Sequence, residues 1–199
     1  ADHLARFVTE LGVSIVGGCC GTSPDYIAET AARIRNAVPA SRSVVPEPRV
    51  SSLFTSASLD QVPKPFFVGE RNNTNGSKEF RDALLSDDWE RAVSIGVRQQ
   101  ETGAHGIDVC VAYAGRNEKV DMETAVSRLS TRVQAPLFLD STDPAVLEAG
   151  LKRYGGRSVI NSINLEDGED KADLILSLAE RYVAAVIGLT IDEEGMARE

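Results

Sequence analysis

The sequence lacks the features that mark membrane and nucleic-acid-binding proteins. No apolar run in its 199 residues approaches the ~18 residues that a membrane span requires. No cluster of Lys and Arg stands out against a formal net charge of −9, and such a surface repels phosphate backbones. We therefore expect neither a membrane nor a nucleic acid among the partners of this protein.

Cysteine is scarce too, with only Cys19, Cys20 and Cys110 in the chain. An odd number without the spacing of a disulfide framework indicates a reducing compartment, and we expect a cytoplasmic protein. Cys19 and Cys20 are adjacent within "VGGCCGTSPDY", residues 16 to 26. Adjacent cysteines are poorly placed to bridge each other. The pair is therefore either two buried small side chains or part of a metal site.

What the chain does contain is an alternation of short apolar segments with amphipathic helices, in a composition that is 42% hydrophobic and 26% charged. The pattern predicts strands at 66–69, 107–112, 137–139, 158–163 and 185–191, and helices at 79–86, 88–102, 121–132, 143–153 and 169–182. The strands are continuously apolar, which is typical of a parallel sheet covered by helices on both faces. This α/β pattern fits either a doubly wound sheet or a (β/α)8 barrel.

The first third of the chain is organised differently. The pattern predicts a helix over 1–11, a strand over 13–16, and a helix from residue 24 to about residue 38, with Ser23 and Pro24 at its start. Residues 39–63 hold four prolines and no sustained periodicity, which indicates a linker. We therefore divide the chain into residues 1–38, the linker 39–63 and residues 64–199.

Polar residues recur where the predicted strands end. In a barrel the carboxyl ends of all strands meet at one mouth, where barrel enzymes hold their active sites. No G-x-G-x-x-G turn follows a strand, which weakens the doubly wound alternative. Carboxylates and amides suit the edge of a pterin or purine, but also a sugar or a metal-held substrate. The residues concerned are Glu70, Asn73, Asp140, Asn161, Asn164, Asp192, Glu193 and Glu194, with Asp108 near the start of its strand.

These motifs resemble those of one family. "GGCCGTSPDYI" resembles the zinc-binding end of the homocysteine domain of cobalamin-dependent methionine synthases. "GERNNTNGSKEF", "LDST", "INSINLEDG" and "LTIDEEG" resemble successive strand-end motifs of the neighbouring barrel, which holds methyltetrahydrofolate. Alone, "GGCCGT" would also fit betaine–homocysteine methyltransferases, and "LDST" with "INS" would fit dihydropteroate synthases. The combination, in the family's order and over nearly the whole chain, fits methionine synthases.

The resemblance implies roles for particular residues. It makes Cys19 and Cys20 two of three zinc-binding cysteines, the third being expected upstream, so that the zinc site is incomplete in this chain. It also implies that Asp140 and Asn161 hydrogen-bond the ring nitrogens of the pterin. The complete set of expected pterin-site residues is Glu70, Asn73, Asp108, Asp140, Asn161 and Asp192. No catalytic residue is assigned.

The resemblance further implies that residues 1–38 end a homocysteine-binding barrel and that residues 64–199 begin a pterin-binding one. A partial (β/α)8 barrel is therefore expected, with the cobalamin-binding module elsewhere in a parent chain. The expected activity is methyl transfer from methyltetrahydrofolate through cobalamin to homocysteine, with the isolated fragment inactive. The alternatives are a stand-alone pterin-barrel enzyme, such as a corrinoid methyltransferase or dihydropteroate synthase, and a non-catalytic interaction module.

Overall fold

The computed structural model describes residues 1–43 and 45–196, which form two units divided after Pro46. The first unit contains helix α1, Asp2–Thr9, and helix α2, Pro24–Ile34. An ion pair between Arg33 and Asp2 joins these two helices. Helix α2 is thus four residues shorter than predicted. The predicted strand at 13–16 is wrong, because Ile15 is 89% exposed and the described residues supply no neighbouring strand to pair with this segment.

The second unit is built on a parallel sheet whose strands lie side by side in the order of the chain. Each of the first four strands is followed by one or two helices that lead to the next strand. This sequential order is that of a (β/α)8 barrel wall, so the prediction of a partial barrel is confirmed. The strands are β3 (Val68–Asn73), β4 (Gly106–Cys110), β5 (Leu137–Asp140), β6 (Val159–Ile163) and β7 (Ala185–Gly188), and the helices are α3 (Lys78–Leu85), α4 (Trp89–Glu101), α5 (Glu118–Leu129), α6 (Pro144–Arg153) and α7 (Glu169–Tyr182).

Polar side chains start most of these helices where the preceding strand or loop ends. Ser77 accepts a hydrogen bond from Phe80 N at the start of α3, and Asp143 accepts one from Ala145 N at the start of α6. Asp88 and Asn117 cap α4 and α5 in the same way. Each cap binds a backbone N–H that the helix leaves unpaired, which stabilises the helix by about 1 kcal/mol.

The two faces of the sheet have different surroundings because side chains alternate along a strand. Ile107 and Val109, on one face of β4, are fully buried against the helices, as are Leu137 and Leu139 of β5. The opposite face is the inner face of the barrel. Toward the amino ends of the strands this inner face is apolar. It is formed there by Phe138 of β5, Val159 of β6 and neighbouring apolar side chains. The main core therefore lies between the sheet and its helices, with a smaller cluster inside the barrel.

A hairpin lies within the predicted linker. Strand β1 (Arg49–Ser51) pairs with β2 (Ser56–Ser58), and Val50 is fully buried against Phe138 and Val159. Gly156 permits this approach, because a Cβ atom there would lie 2.1 Å from the Ser51 carbonyl oxygen. The linker prediction is therefore wrong from residue 49 to residue 58, and the second unit begins at residue 47 rather than 64.

The last predicted strand, 185–191, is shorter in the structure. Strand β7 ends at Gly188, and a small antiparallel hairpin follows, formed by β8 (Ile191–Asp192) and β9 (Gly195–Met196). Position 44, in the predicted linker, and positions 197–199, in the predicted second domain, lie outside the described residues. Throughout 1–43 and 45–196, no helix has both the length and the apolar character that crossing a membrane requires.

Candidate functional site

The inner face of the barrel changes from apolar to polar toward the carboxyl ends of the strands. Asp140 follows Phe138 by two residues on β5, and Asn161 follows Val159 by two residues on β6, so each pair shares the inner face. On β4, Asp108 pairs with Phe138 and therefore also faces inward, one step before the level of Asp140. Asn73 joins these side chains from the end of β3. We call this set of four, Asn73, Asp108, Asp140 and Asn161, the polar layer.

The polar layer is a continuous hydrogen-bonded cluster. Asn73 Nδ2 donates to Asp108 Oδ2 at 2.9 Å and to Asp140 Oδ2 at 3.1 Å. Asn161 Nδ2 donates to Asp108 Oδ1 at 3.0 Å. The amide of Asn73 is oriented from its other end, because Oδ1 accepts hydrogen bonds from the backbone N–H groups of Asn75 and Gly76. Four of the six pterin-site residues expected from the sequence are thus brought together by the fold.

Asp108 is the buried centre of this cluster, with only 2% of its surface exposed. Burial raises the pKa of Asp108 above its usual value, and the negative charge of Glu70 adds to that rise. The hydrogen bonds from Asn73 and Asn161 act in the opposite direction, since they stabilise the carboxylate. Asp108 therefore holds the amides of Asn73 and Asn161 in place, although burial makes its carboxyl group ionise less readily.

Asp140 lies at the more open edge of the layer. Burial first, and then the charges of Asp108 and Glu118, raise the pKa of Asp140 to about 6, although hydrogen bonds from Cys110 and Asn73 oppose the shift. A carboxyl group with this pKa changes its protonation state close to neutral pH. Ionisation of Asp140 therefore changes the net charge of the polar layer by one unit close to neutral pH.

Two residues near Asp140 were not among the expected site residues. Cys110 is buried on the inner face of β4, where burial raises the pKa of its thiol to about 12, so the thiol stays protonated and can donate to Asp140. Glu118, at the start of α5, accepts a hydrogen bond from Ser141 Oγ at 2.6 Å. Strand alternation could have identified Cys110, which lies two residues after Asp108. No sequence signal brings Glu118 to this site.

The other two expected pterin-site residues lie apart from the cluster. Glu70 is exposed on β3, and the effect of its charge on Asp108 is the link that the structure shows. Asp192 is exposed in the β8–β9 hairpin, where its Oδ1 accepts a hydrogen bond from Glu194 N at 2.9 Å. It lines a separate cavity of about 300 Å³ with Leu165. Neither side chain forms a hydrogen bond to the polar layer in the described part of the chain.

The cysteine turn in the first unit has a simpler arrangement. Cys19 and Cys20 are both exposed, with their sulfur atoms 3.8 Å apart, so the alternative of two buried small side chains is wrong. Hydrogen bonds from the backbone and the thiol of Cys20 lower the pKa of Cys19. Within the described residues no group of three or more His, Cys, Asp or Glu could hold a metal ion. Two thiols fit part of a tetrahedral zinc site but do not complete one.

Two protein-family models match separate parts of the chain. The chain belongs to the pterin-binding enzymes, whose family model, described as "Pterin binding enzyme", matches residues 69–199. The model described as "Homocysteine S-methyltransferase" matches residues 1–34. The match to the pterin-binding family covers the whole polar layer.

More specific relatives are the methionine synthases of Mycobacterium tuberculosis and Mycobacterium leprae. Each is 47% identical to the chain, over 201 and 206 residues respectively, and the match covers 100% of the chain but 17% of the relative. These relatives confirm the resemblance to methionine synthases. A solved structure of Xanthomonas albilineans dihydropteroate synthase, in complex with indole-2-carboxylic acid and 6-chloroguanine, aligns with a TM-score of 0.46 at 20% identity, over 72% of this chain and 49% of that one.

Proposed function

We propose that this chain contains the folate-binding site of a methyltransferase of the methionine synthase type. The proposed reaction moves a methyl group from methyltetrahydrofolate, through cobalamin, to homocysteine. The observation that carries the proposal is the polar layer, in which two carboxylates and two amides from adjacent strands form one cluster at the barrel mouth. The 47% identity to methionine synthases over the whole chain supports the choice of reaction.

The chemistry of the polar layer suits the edge of a pterin. That edge presents N–H groups next to a carbonyl, and carboxylates accept paired N–H donors well. Because Asn161 directs its Nδ2 to Asp108, its Oδ1 is left to accept a hydrogen bond. We assign ring N–H recognition to Asp140 and to this oxygen, whereas Asp108 and Asn73 hold the two in position. Glu70 and Asp192 are assigned to more distant parts of the ligand.

The polar layer can also assist the departure of the folate. A tertiary amine leaves as a neutral molecule only when its nitrogen is protonated, and nearby carboxylates favour that cation. Asp140, with its pKa of about 6, is mostly ionised at neutral pH, so its negative charge can favour the protonated form of the ligand nitrogen. Cobalamin, when bound by a further module, supplies the acceptor for the methyl group. Described residues fill only part of a zinc site at Cys19 and Cys20, so we assign no step to zinc.

The remaining assignments belong to the same proposal. Residues 1–38 are proposed as the end of a homocysteine-binding domain, which the family match over 1–34 supports. That match favours a methionine synthase over a stand-alone pterin-barrel enzyme, for which a homocysteine segment has no use. A cytoplasmic location, a cobalamin-binding partner module and the inactivity of the isolated chain are also proposed.

Titration of the chain with methyltetrahydrofolate, followed by calorimetry, tests the proposal. Asp140→Ala and Asn161→Ala should each weaken binding by about tenfold or more, because each leaves polar groups in the complex unpaired at ~1–3 kcal/mol. Asp173→Ala, on the exposed face of α7, is the matched control and should leave binding unchanged. Absence of binding to the unaltered chain, or equal losses in all three variants, would contradict a pterin site at the polar layer.

A further inference from the structure

Strand β3 contains an extra residue relative to its neighbour β4. Val68 and Gly69 lie opposite Gly106 and Ile107, but the next paired residues are Asn72 and Asn73, opposite Val109 and Cys110. Two residues of β3, Glu70 and Arg71, therefore face the single residue Asp108. This is a β-bulge, which leaves one backbone N–H group without its place in the sheet and reverses the alternation of the side chains beyond it.

The bulge determines which of two adjacent asparagines enters the polar layer. Without it, alternation from Val68 would direct Asn72 inward and Asn73 toward the helices. With it, Asn73 reaches Asp108 and Asp140 on the inner face. Asn72 is instead fully buried on the outer face, where its Nδ2 donates to the carbonyl of Ala92 in α4 at 2.7 Å. The composition of the site thus depends on the bulge.

A single side chain from helix α4 holds the bulge. Gln99 Oε1 accepts a hydrogen bond from the backbone N–H of Arg71 at 2.6 Å, and Gln99 Nε2 donates to Asn72 Oδ1 at 2.8 Å. The residue is 8% exposed. Its carboxamide therefore supplies both the acceptor that the bulged N–H needs and the donor that keeps Asn72 on the outer face.

Strand β3 leaves space for the Gln99 side chain. At Gly69, directly before the bulge, a Cβ atom would lie 2.6 Å from Gln99 Oε1 and 3.1 Å from its Cδ. Any side chain at that position would displace the carboxamide from Arg71. The space left by the absent Cβ at Gly69 is thus filled by the same Gln99 oxygen that binds Arg71.

We propose that Gln99 is a positioning residue for the polar layer: by binding the β3 bulge from helix α4, it sets the register that places Asn73 between Asp108 and Asp140. The Gln99 side chain binds Arg71 and Asn72 of β3, and we assign it no contact with the proposed ligand. Its effect on folate binding rests on the proposed function, whereas its effect on Asn73 does not.

The test compares two neighbouring glutamines on one helix in the full chain. Gln99→Met keeps the volume of the side chain but removes both hydrogen-bonding groups. Gln100→Met is the matched control, because Gln100 Oε1 also accepts backbone N–H groups, those of Gln134 and Ala135, but at the other end of the sheet. Both variants should lose similar thermal stability. Only Gln99→Met should alter the polar layer.

The readout is the pKa of Asp140, followed by carbon-13 NMR of its carboxyl group. Asp108 and Cys110 from β4, Glu118 from α5 and Asn73 from β3 act on this carboxyl group, and only the hydrogen bond from Asn73 should change. Loss of that bond should raise the pKa of Asp140 by about 0.5 to 1 pH unit in Gln99→Met. Affinity for methyltetrahydrofolate should fall about tenfold. Gln100→Met should show neither effect.

Two further variants make the result decisive. In an Asn73→Ala background, Gln99→Met should cause no additional change in the pKa of Asp140, because its action passes through Asn73. Gly69→Ala, which displaces Gln99 without altering it, should raise the pKa of Asp140 in the same direction, and it replaces Gln99→Met if that variant does not fold. An unchanged pKa of Asp140 in folded Gln99→Met, or in Gly69→Ala when it stands in for that variant, would overturn the inference. If the unaltered chain binds no folate, the pKa measurement alone decides.

Discussion

The cysteine turn and the polar layer are both motif-bearing regions, but they are constructed in different ways. In the turn, Cys19 and Cys20 come from consecutive positions, and both side chains are exposed. In the polar layer, four side chains from four strands meet, and three hydrogen bonds connect them. Within the described residues every buried side-chain nitrogen and oxygen has a hydrogen-bond partner.

This difference shows what each region requires from the rest of the fold. Adjacent thiols need no tertiary structure to be neighbours, but they supply only two donors of the four that zinc takes. The polar layer needs the sheet order, the strand alternation and the bulge in β3, and the sheet then supplies each carboxylate with its amide partners. We therefore expect changes in the polar layer to affect folding and ionisation, and changes in the cysteine turn to affect neither.

The largest expected effect is that of Asn73→Ala. This change removes two donated and two accepted hydrogen bonds and leaves two partly buried carboxylates with fewer partners. The free energy of unfolding should fall by about 2 to 3 kcal/mol, measured by urea denaturation. Asn75→Ala, a neighbouring exposed asparagine, should change it by less than about 0.5 kcal/mol. Similar losses in both variants would show that the turn, not the polar layer, is responsible.

The next effect concerns pH. The pKa of Asp140 is about 6 in the folded chain, above the value of about 3.9 for an unfolded Asp. Between these values the folded state keeps a proton that the unfolded state has released, so stability is greatest below the lower pKa and falls as pH rises toward 6. The expected fall is about 2 to 3 kcal/mol, and Asp140→Asn should remove it. Parallel pH profiles of both proteins, followed by urea denaturation, would contradict this assignment.

The smallest effect is expected in the cysteine turn. Replacing both Cys19 and Cys20 by Ser should change the free energy of unfolding by less than about 0.5 kcal/mol, because both side chains are exposed. The unaltered chain should bind zinc weakly or not at all, since two thiolates do not complete a four-coordinate site. Equilibrium dialysis with zinc checks this expectation. A stoichiometric zinc that resists chelators would remove the contrast between the two regions.

Much of the second unit could be predicted from sequence because its signals are local. Continuous apolar segments with capped helices between them indicated a parallel barrel wall, and strand-end polarity indicated Asp140 and Asn161. The bulge in β3 was not predictable in this way. It depends on Gln99, which lies 28 residues from Arg71 along the chain and reads as an ordinary position in an amphipathic helix. Contacts of that kind leave no periodic signal.

The errors in the remaining segments have physical causes as well. Residues 13–16 are apolar enough for a strand, but the described residues offer no partner strand, and periodicity does not report on partners. In the hairpin at 49–58, short strands rich in Ser and flanked by prolines show no alternation to recognise. Its stability comes from Val50, which is buried by Phe138 and Val159, 88 and 109 positions further along the chain.

That hairpin has a consequence for how the molecule folds. Tyr154 Oη donates to the carbonyl of Ser51, and Arg157 binds Ser51 and Arg49, across separations of 103 to 108 residues. Closing so long a loop costs more chain entropy than any step that joins neighbouring strands. The hairpin is synthesised before β5 and β6 but has nothing to bind until they are paired, so it should be among the last elements to dock, slowing folding as long-range contacts do.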